Sequence, residues 1–217
     1  MVGPRGRFLI VLGKATADWQ SKRREAARRE ILAAAWAVAR ESGLGALTLR
    51  EVAARVGMRA PSLYSHFASK HAIYDAMYGQ AWAEYGRAAE SADRRLPTEP
   101  RRVLREVARR YFEFATADMS RHQLMDLRTI PGFTPSDESY AHAVRVYDRF
   151  RTVMASIGIT AGEDLDLFAA LVGGLADSQW ANDPGGTRYA RLLDRAVDMY
   201  ADALHLPQVD DDQEVLP

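Results

Sequence analysis

Apolar residues recur at intervals of three and four along almost the whole chain, with Ala, Leu, Arg and Glu between them, while strand-like alternation bounded by turn residues is hard to find. That regularity confines the chain to an all-α fold. Its 217 residues, 47% of them apolar, can bury a real core as one large domain or two small ones. The breaks in the pattern set the helices. A first helix is expected over about Lys22 to Glu41, with Ile31, Ala34, Ala35, Val38 and Ala39 as its apolar stripe and Gly43 as its stop.

Thr48-Leu49-Arg50-Glu51 reads as a capping box opening a second helix, whose inner face is Val52, Ala53 and Val56. Gly57 permits a sharp turn, and Pro61 suits the first turn of a short third helix holding Leu63, Tyr64 and Phe67. Two helices joined by a glycine turn result. Ser69 caps a fourth helix, packed through Ile73, Met77 and Ala81, and Leu96 to Pro100 ends that pattern. Further helices are expected near 101–117, 119–129, 137–157, 162–181 and 187–205, with loops at 131–135 and 183–186. Residues 1–21 lack a sustained period and predict a flexible arm; 22–70 form the helix-turn-helix domain, 71–206 a larger helical domain, and 207–217 an acidic tail.

The formal charge of zero hides an asymmetry. The first 70 residues hold 13 Lys and Arg against 5 Asp and Glu, and the remainder holds 16 against 24. Polyanion binding therefore belongs at the N-terminal end. The chain has no cysteine, which removes disulfides, thiolate metal sites and cysteine nucleophiles and fits a reducing cytoplasm. The apolar run Phe8 to Leu12 is too short to span a membrane and lacks a cleavage site for export. HExxH, nucleophile-elbow, P-loop and Rossmann patterns are all missing, so no enzyme, metal or cofactor is expected.

The segment Leu47-Thr48-Leu49-Arg50-Glu51-Val52-Ala53-Ala54-Arg55-Val56-Gly57, continuing Ala60-Pro61-Ser62-Leu63-Tyr64-Ser65-His66-Phe67-Ala68-Ser69-Lys70, resembles the TetR family of transcriptional regulators. The turn glycine, the Leu-Tyr-x-His-Phe run and the Ser-Lys opening carry the resemblance, strongly over Arg24 to Tyr78. In a helix-turn-helix the start of the second helix meets base edges in the major groove. Arg59, Ala60 and Ser62 occupy that start and are the candidates for base contact; Tyr64, His66 and Lys70 are expected on the phosphate backbone, and Thr48 and Arg50 match contact positions at the second helix. Leu63 and Phe67 point inward. Arg23, Arg24, Arg28 and Arg29 read as a solvated basic face adding salt-dependent attraction.

The resemblance implies a repressor on a palindromic double-stranded DNA operator, a small-molecule effector that shifts the fourth helix, and a homodimer through the last two long helices. Leu165, Phe168, Ala169, Val172 and Ala176 supply one candidate dimer stripe, and Leu192, Leu193, Ala196, Met199, Tyr200 and Ala203 the other, with core packing as the alternative for each. Gly173-Gly174 within a helix suggests close helix approach. Tyr111, Phe114, Met125, Ile130, Phe133, Tyr147, Gln179 and Trp180 are the candidate ligand-binding residues, with Phe112 as a further apolar candidate and His122, Asp126 and Arg128 as polar ones. Two other functions stay open from the residues: a helical small-molecule binder without specific DNA binding, and a non-specific architectural DNA-binding protein.

Overall fold

The computed structural model describes the backbone of residues 8–207 and the side chains from Trp19 to Pro207. Nine α-helices and no strand occur among these residues. They are α1 (Phe8–Ser42), α2 (Leu49–Arg55), α3 (Ala60–Leu63), α4 (Lys70–Asp93), α5 (Pro100–Ala117), α6 (Met119–Asp126), α7 (Asp137–Ser156), α8 (Gly162–Asn182) and α9 (Leu193–Ala203), the last preceded by a 3-10 turn at Ala190–Leu192. None is long and apolar enough to cross a membrane. Helix α1 begins at Phe8 rather than near Lys22, so much of the expected arm is helical. Gly13 is the only strong helix breaker between Phe8 and Lys22, and one glycine costs about 1 kcal/mol, which a long helix absorbs. The expectations for residues 1–7 and for the acidic stretch 208–217 lie outside the described residues.

Two compact units part between Met77 and Tyr78, inside α4. The first is built on Ile31, Val38, Leu47, Val52, Leu63, Phe67, Ile73 and Met77, all fully or almost fully buried. Tyr74 is buried with them and its hydroxyl donates to the Leu44 carbonyl, which ties α4 to the loop after α1. Burial pushes its phenol up to about 12.

In the second unit, α5 lies against α8 and α9. Arg101, Arg105 and Arg109 of α5, one turn apart, pair with Asp202, Asp198 and Asp194 of α9 at 2.6, 2.7 and 3.3 Å. The descending partner numbers make the two helices antiparallel. Only Arg101 is buried, and it also donates to the carbonyls of Leu206 and Pro207, satisfying backbone acceptors beyond the end of α9. Helices α4 and α7 instead run parallel at close range. A Cβ on Gly79 would lie 2.9 Å from Ser139 Oγ, and one on Gly86 would lie 3.2 Å from Val146 Cγ2. Two glycines seven residues apart therefore leave room for the neighbouring helix on one face of α4. Asp118 and Ser136 cap α6 and α7 by accepting from the backbone N–H of Arg121 and Ser139.

Candidate nucleic-acid interface and ligand cavity

The helix-turn-helix is shaped by local chemistry. Thr48 sits in extended conformation at the start of α2, and its Oγ1 accepts from the Glu51 N–H at 3.2 Å. At the other end Gly57 takes φ +67°, while the N–H groups of Val56, Gly57 and Met58 return to carbonyls of the helix. Pro61 occupies the first turn of α3, which spans only Ala60–Leu63; Tyr64 to His66 continue as turns closed by His66 and Phe67 N–H groups on the Leu63 carbonyl. Tyr64 and Phe67 were expected within the helix itself. The chain leaves α-geometry there because it must reach Ser69, whose Oγ accepts from the Ala72 N–H to open α4.

Leu63 and Phe67 are buried, so α3 is locked from beneath. Thr48, Arg50, Arg59, Ser62 and Tyr64 are exposed, while Ala60, His66 and Lys70 are partly buried. His66 Nδ1 is enclosed without a hydrogen-bond partner. Lys70 Nζ donates to the Gly45 carbonyl at 3.0 Å, which uses one of its three donors. Two arginines expected on a solvated face do structural work. Arg28 donates to the His66 carbonyl and lies over the Phe67 ring, and Arg24 reaches the Ser65 carbonyl at 3.3 Å.

A cavity of about 460 Å³ lies within the second unit. Trp82, Tyr85, Ala89 and Asp93 line it from one face of α4; Val107, Arg110 and Tyr111 from α5; Val146, Tyr147, Arg149, Phe150 and Val153 from α7; Phe168, Val172 and Asp177 from α8. One end is basic. Arg110 Nη1 lies 2.7 Å from Asp93 Oδ1, Arg149 Nε bonds the other carboxylate oxygen, and Arg110 Nε is buried without a partner. The other end is acidic. His122 is held between Asp126, 3.1 Å from Nδ1, and Asp177, 2.7 Å from Nε2. Burial opposes charging of the imidazole, but hydrogen bonds to the two carboxylates outweigh it and raise its pKa. Burial, followed by the nearby Asp126 carboxylate, raises the Tyr111 phenol far above its ordinary value, so it remains neutral.

Of the candidate ligand residues, the cavity brings together Tyr111 and Tyr147, joined by the polar candidates His122 and Asp126. The others lie elsewhere for identifiable reasons. Phe114 packs on Tyr85 with Arg121 across its face, Phe112 and Met125 are buried, and Ile130 and Phe133 are partly buried outside the lining, Phe133 against Tyr78. Arg128 is exposed and lies outside the lining too. Gln179 is committed to the loop after α8, donating to Asp183 and accepting from the Tyr189 N–H, and the Trp180 indole donates to the Ala115 carbonyl. Sequence reasoning missed Tyr85, Asp93, Arg110 and Arg149. The spacing of Trp82, Tyr85, Ala89 and Asp93 on one helical face was the available signal. A Cβ on Gly173 or Gly174 meets nothing within 4 Å, so these glycines widen the cavity instead of admitting a neighbouring helix of this chain.

Most of the expected dimer stripe packs inside the unit. Leu165, Phe168, Val172, Ala176, Leu193 and Tyr200 are buried in its core. The outward apolar residues are Leu167 on α8, and Leu192, Met199 and Ala203 on the segment through α9, with Ala196 partly covered and Ala169 and Ala170 exposed at the cavity.

Residues 31–77 match the family model described as bacterial regulatory proteins, tetR family. The fold resembles that of a protein of unknown function from Rhodococcus sp. RHA1, with a TM-score of 0.69 and 22% identity over 83% of this chain and 95% of that one. It also resembles the TetR family transcriptional regulator PfmR from Thermus thermophilus, with a TM-score of 0.61 and 18% identity over 78% and 96%. A third similar structure is the transcriptional regulator FadR from Bacillus subtilis, solved in complex with stearoyl-CoA, with a TM-score of 0.61 and 13% identity over 79% and 96%. No curated protein matches the sequence significantly.

Proposed function

We propose that the chain, whose residues 31–77 match the model of the tetR family of bacterial regulatory proteins, is a cytoplasmic repressor of that family, released from a palindromic operator by a small apolar or amphipathic effector. The observation that carries this reading is the division of labour around α3: Arg59, Ser62 and Tyr64 face solvent while Leu63 and Phe67 anchor the element from below. Arg59 and Ser62 read base edges, with Ala60 against a thymine methyl. Thr48, Arg50, Tyr64, His66 and Lys70 hold phosphates and fix the register, Lys70 through its two remaining donors.

The effector enters the cavity of the second unit. Its walls include Trp82, Tyr85, Ala89 and Asp93, all on α4, the helix that begins at Lys70. A ligand that favours one setting of this helix biases the DNA-binding element it is joined to. The FadR structure with stearoyl-CoA supports ligand binding within this fold. A homodimer forms through the outward residues Leu167, Leu192, Met199 and Ala203, which an isolated chain would leave in water. Half-sites about 34–36 Å apart then make simultaneous docking sensitive to a small pivot.

Footprinting of genomic fragments with the purified protein tests the reading. The expected result is protection of a palindrome, lost on addition of an effector found by screening against that site. Uniform protection of all fragments would leave only non-specific binding.

A further inference from the structure

The two ends of the cavity differ in charge and in burial. At the basic end two guanidinium groups share one carboxylate, leaving a single positive charge over. The Asp93 side chain is 6% exposed, Arg110 17% and Arg149 37%. At the acidic end two carboxylates share one imidazole, and water reaches both, the Asp126 side chain being 24% and the Asp177 side chain 46% exposed, against 6% and 17% for Asp93 and Arg110. An uncompensated charge is costly in proportion to its removal from water, so the basic end has the greater need of a counterion. The partnerless Arg110 Nε adds a buried donor that an incoming acceptor would satisfy.

We propose that the cavity takes an amphipathic organic monocarboxylate, its carboxylate seated on Arg110 and Arg149 and its apolar body lying along Val107, Phe150, Val153 and Phe168. The inference rests on the reading of this cavity as the effector site. A monoanion matches the one surplus charge, whereas a dianionic phosphate would leave a buried negative charge in its place. The planar guanidinium groups offer paired N–H donors to a carboxylate.

Calorimetric titration of the full-length protein with decanoate, 1-decanol and decyltrimethylammonium, each kept below its micelle concentration, separates the headgroups. Decanoate is expected to bind at least about tenfold more tightly than the other two, the effect of one charge-assisted hydrogen bond. Arg149→Gln should weaken decanoate by about tenfold or more, and Asp93→Asn should strengthen it by removing the competing carboxylate. The double variant Asp93→Asn with Arg149→Gln restores the surplus charge and should return affinity toward the wild-type value, which a purely structural role for Arg149 does not predict. Binding indifferent to headgroup, or unaffected by Arg149→Gln, overturns the proposal. Tighter binding of decyltrimethylammonium that is blocked by Gly173→Leu would remove the anion and keep the cavity as a ligand site. Binding of none of the three would remove the amphiphile from both readings.

Discussion

The guanidinium of Arg28 lies 4.0 Å from the centroid of the Phe67 ring. Because the same group donates to the His66 carbonyl, α1 grips the turn that follows α3. Arg28→Ala should therefore destabilise the first unit by about 2–4 kcal/mol, the sum of a partly desolvated cation–π contact and a charged hydrogen bond. Thermal melting compared with Arg29→Ala, whose side chain is exposed, provides the check. Equal melting of the two variants would return Arg28 to the solvated face.

Glycines of the second unit should respond in opposite directions. Gly79→Ala sets a Cβ 2.9 Å from Ser139 Oγ and 3.4 Å from its Cα, so α4 and α7 must move apart, at about 1–3 kcal/mol. Gly173→Ala meets no atom within 4 Å and should stabilise α8 by about 0.5–1 kcal/mol. Chemical denaturation of both variants resolves the pair, and destabilisation of similar size would contradict the packing described.

His122 links stability to pH. Its folded pKa lies above the ordinary histidine value because the carboxylates of Asp126 and Asp177 outweigh the opposing effect of burial. A raised folded pKa gives stabilisation that is full below the unfolded value and fades as pH rises through the folded one. His122→Asn should thus cost most at about pH 5.5 and progressively less toward pH 9. Melting temperatures of both proteins across that range measure it, and a gap that widens with pH would reverse the assignment.

Contacts to phosphate and to bases should separate under salt. Lys70→Ala should weaken every duplex alike and reduce the salt slope by about one. Tyr64→Ala should also weaken all duplexes under the proposed backbone contact of this exposed side chain, with little change in slope because tyrosine releases no counterion. Fluorescence anisotropy over a salt series gives the slopes. A Lys70→Ala slope equal to that of the wild type would confine Lys70 to its bond with Gly45.

Local patterns made the helical fold readable, and they worked where a signal sits within a few residues of its effect. Thr48, Gly57, Pro61 and Ser69 each act on their own turn, so the helix-turn-helix was legible. Arg28 was misjudged because its partners, His66 and Phe67, lie 38 and 39 residues away. The cavity was legible only in part for the same reason. Tyr111 and Tyr147 stood out as aromatics, but Asp93, Arg110 and Arg149 come from three helices and acquire meaning only when packing joins them. The apolar stripe of α8 reads from the sequence as a dimer face with core packing as the alternative, and Leu165, Phe168, Val172 and Ala176 pack in the core; periodicity carries no mark of whether the partner is the same chain or a second one.

The most direct test of the central claim is the affinity of the wild type and of Arg59→Ala for the footprinted palindrome and for a scrambled duplex at one salt concentration. The wild type should prefer the palindrome by about 10³-fold or more. Arg59→Ala should lose about 1–3 kcal/mol of that preference while keeping most of its affinity for the scrambled duplex. Equal affinity of the wild type for both duplexes would contradict sequence reading by α3 and leave the basic N-terminal unit as a non-specific DNA-binding element.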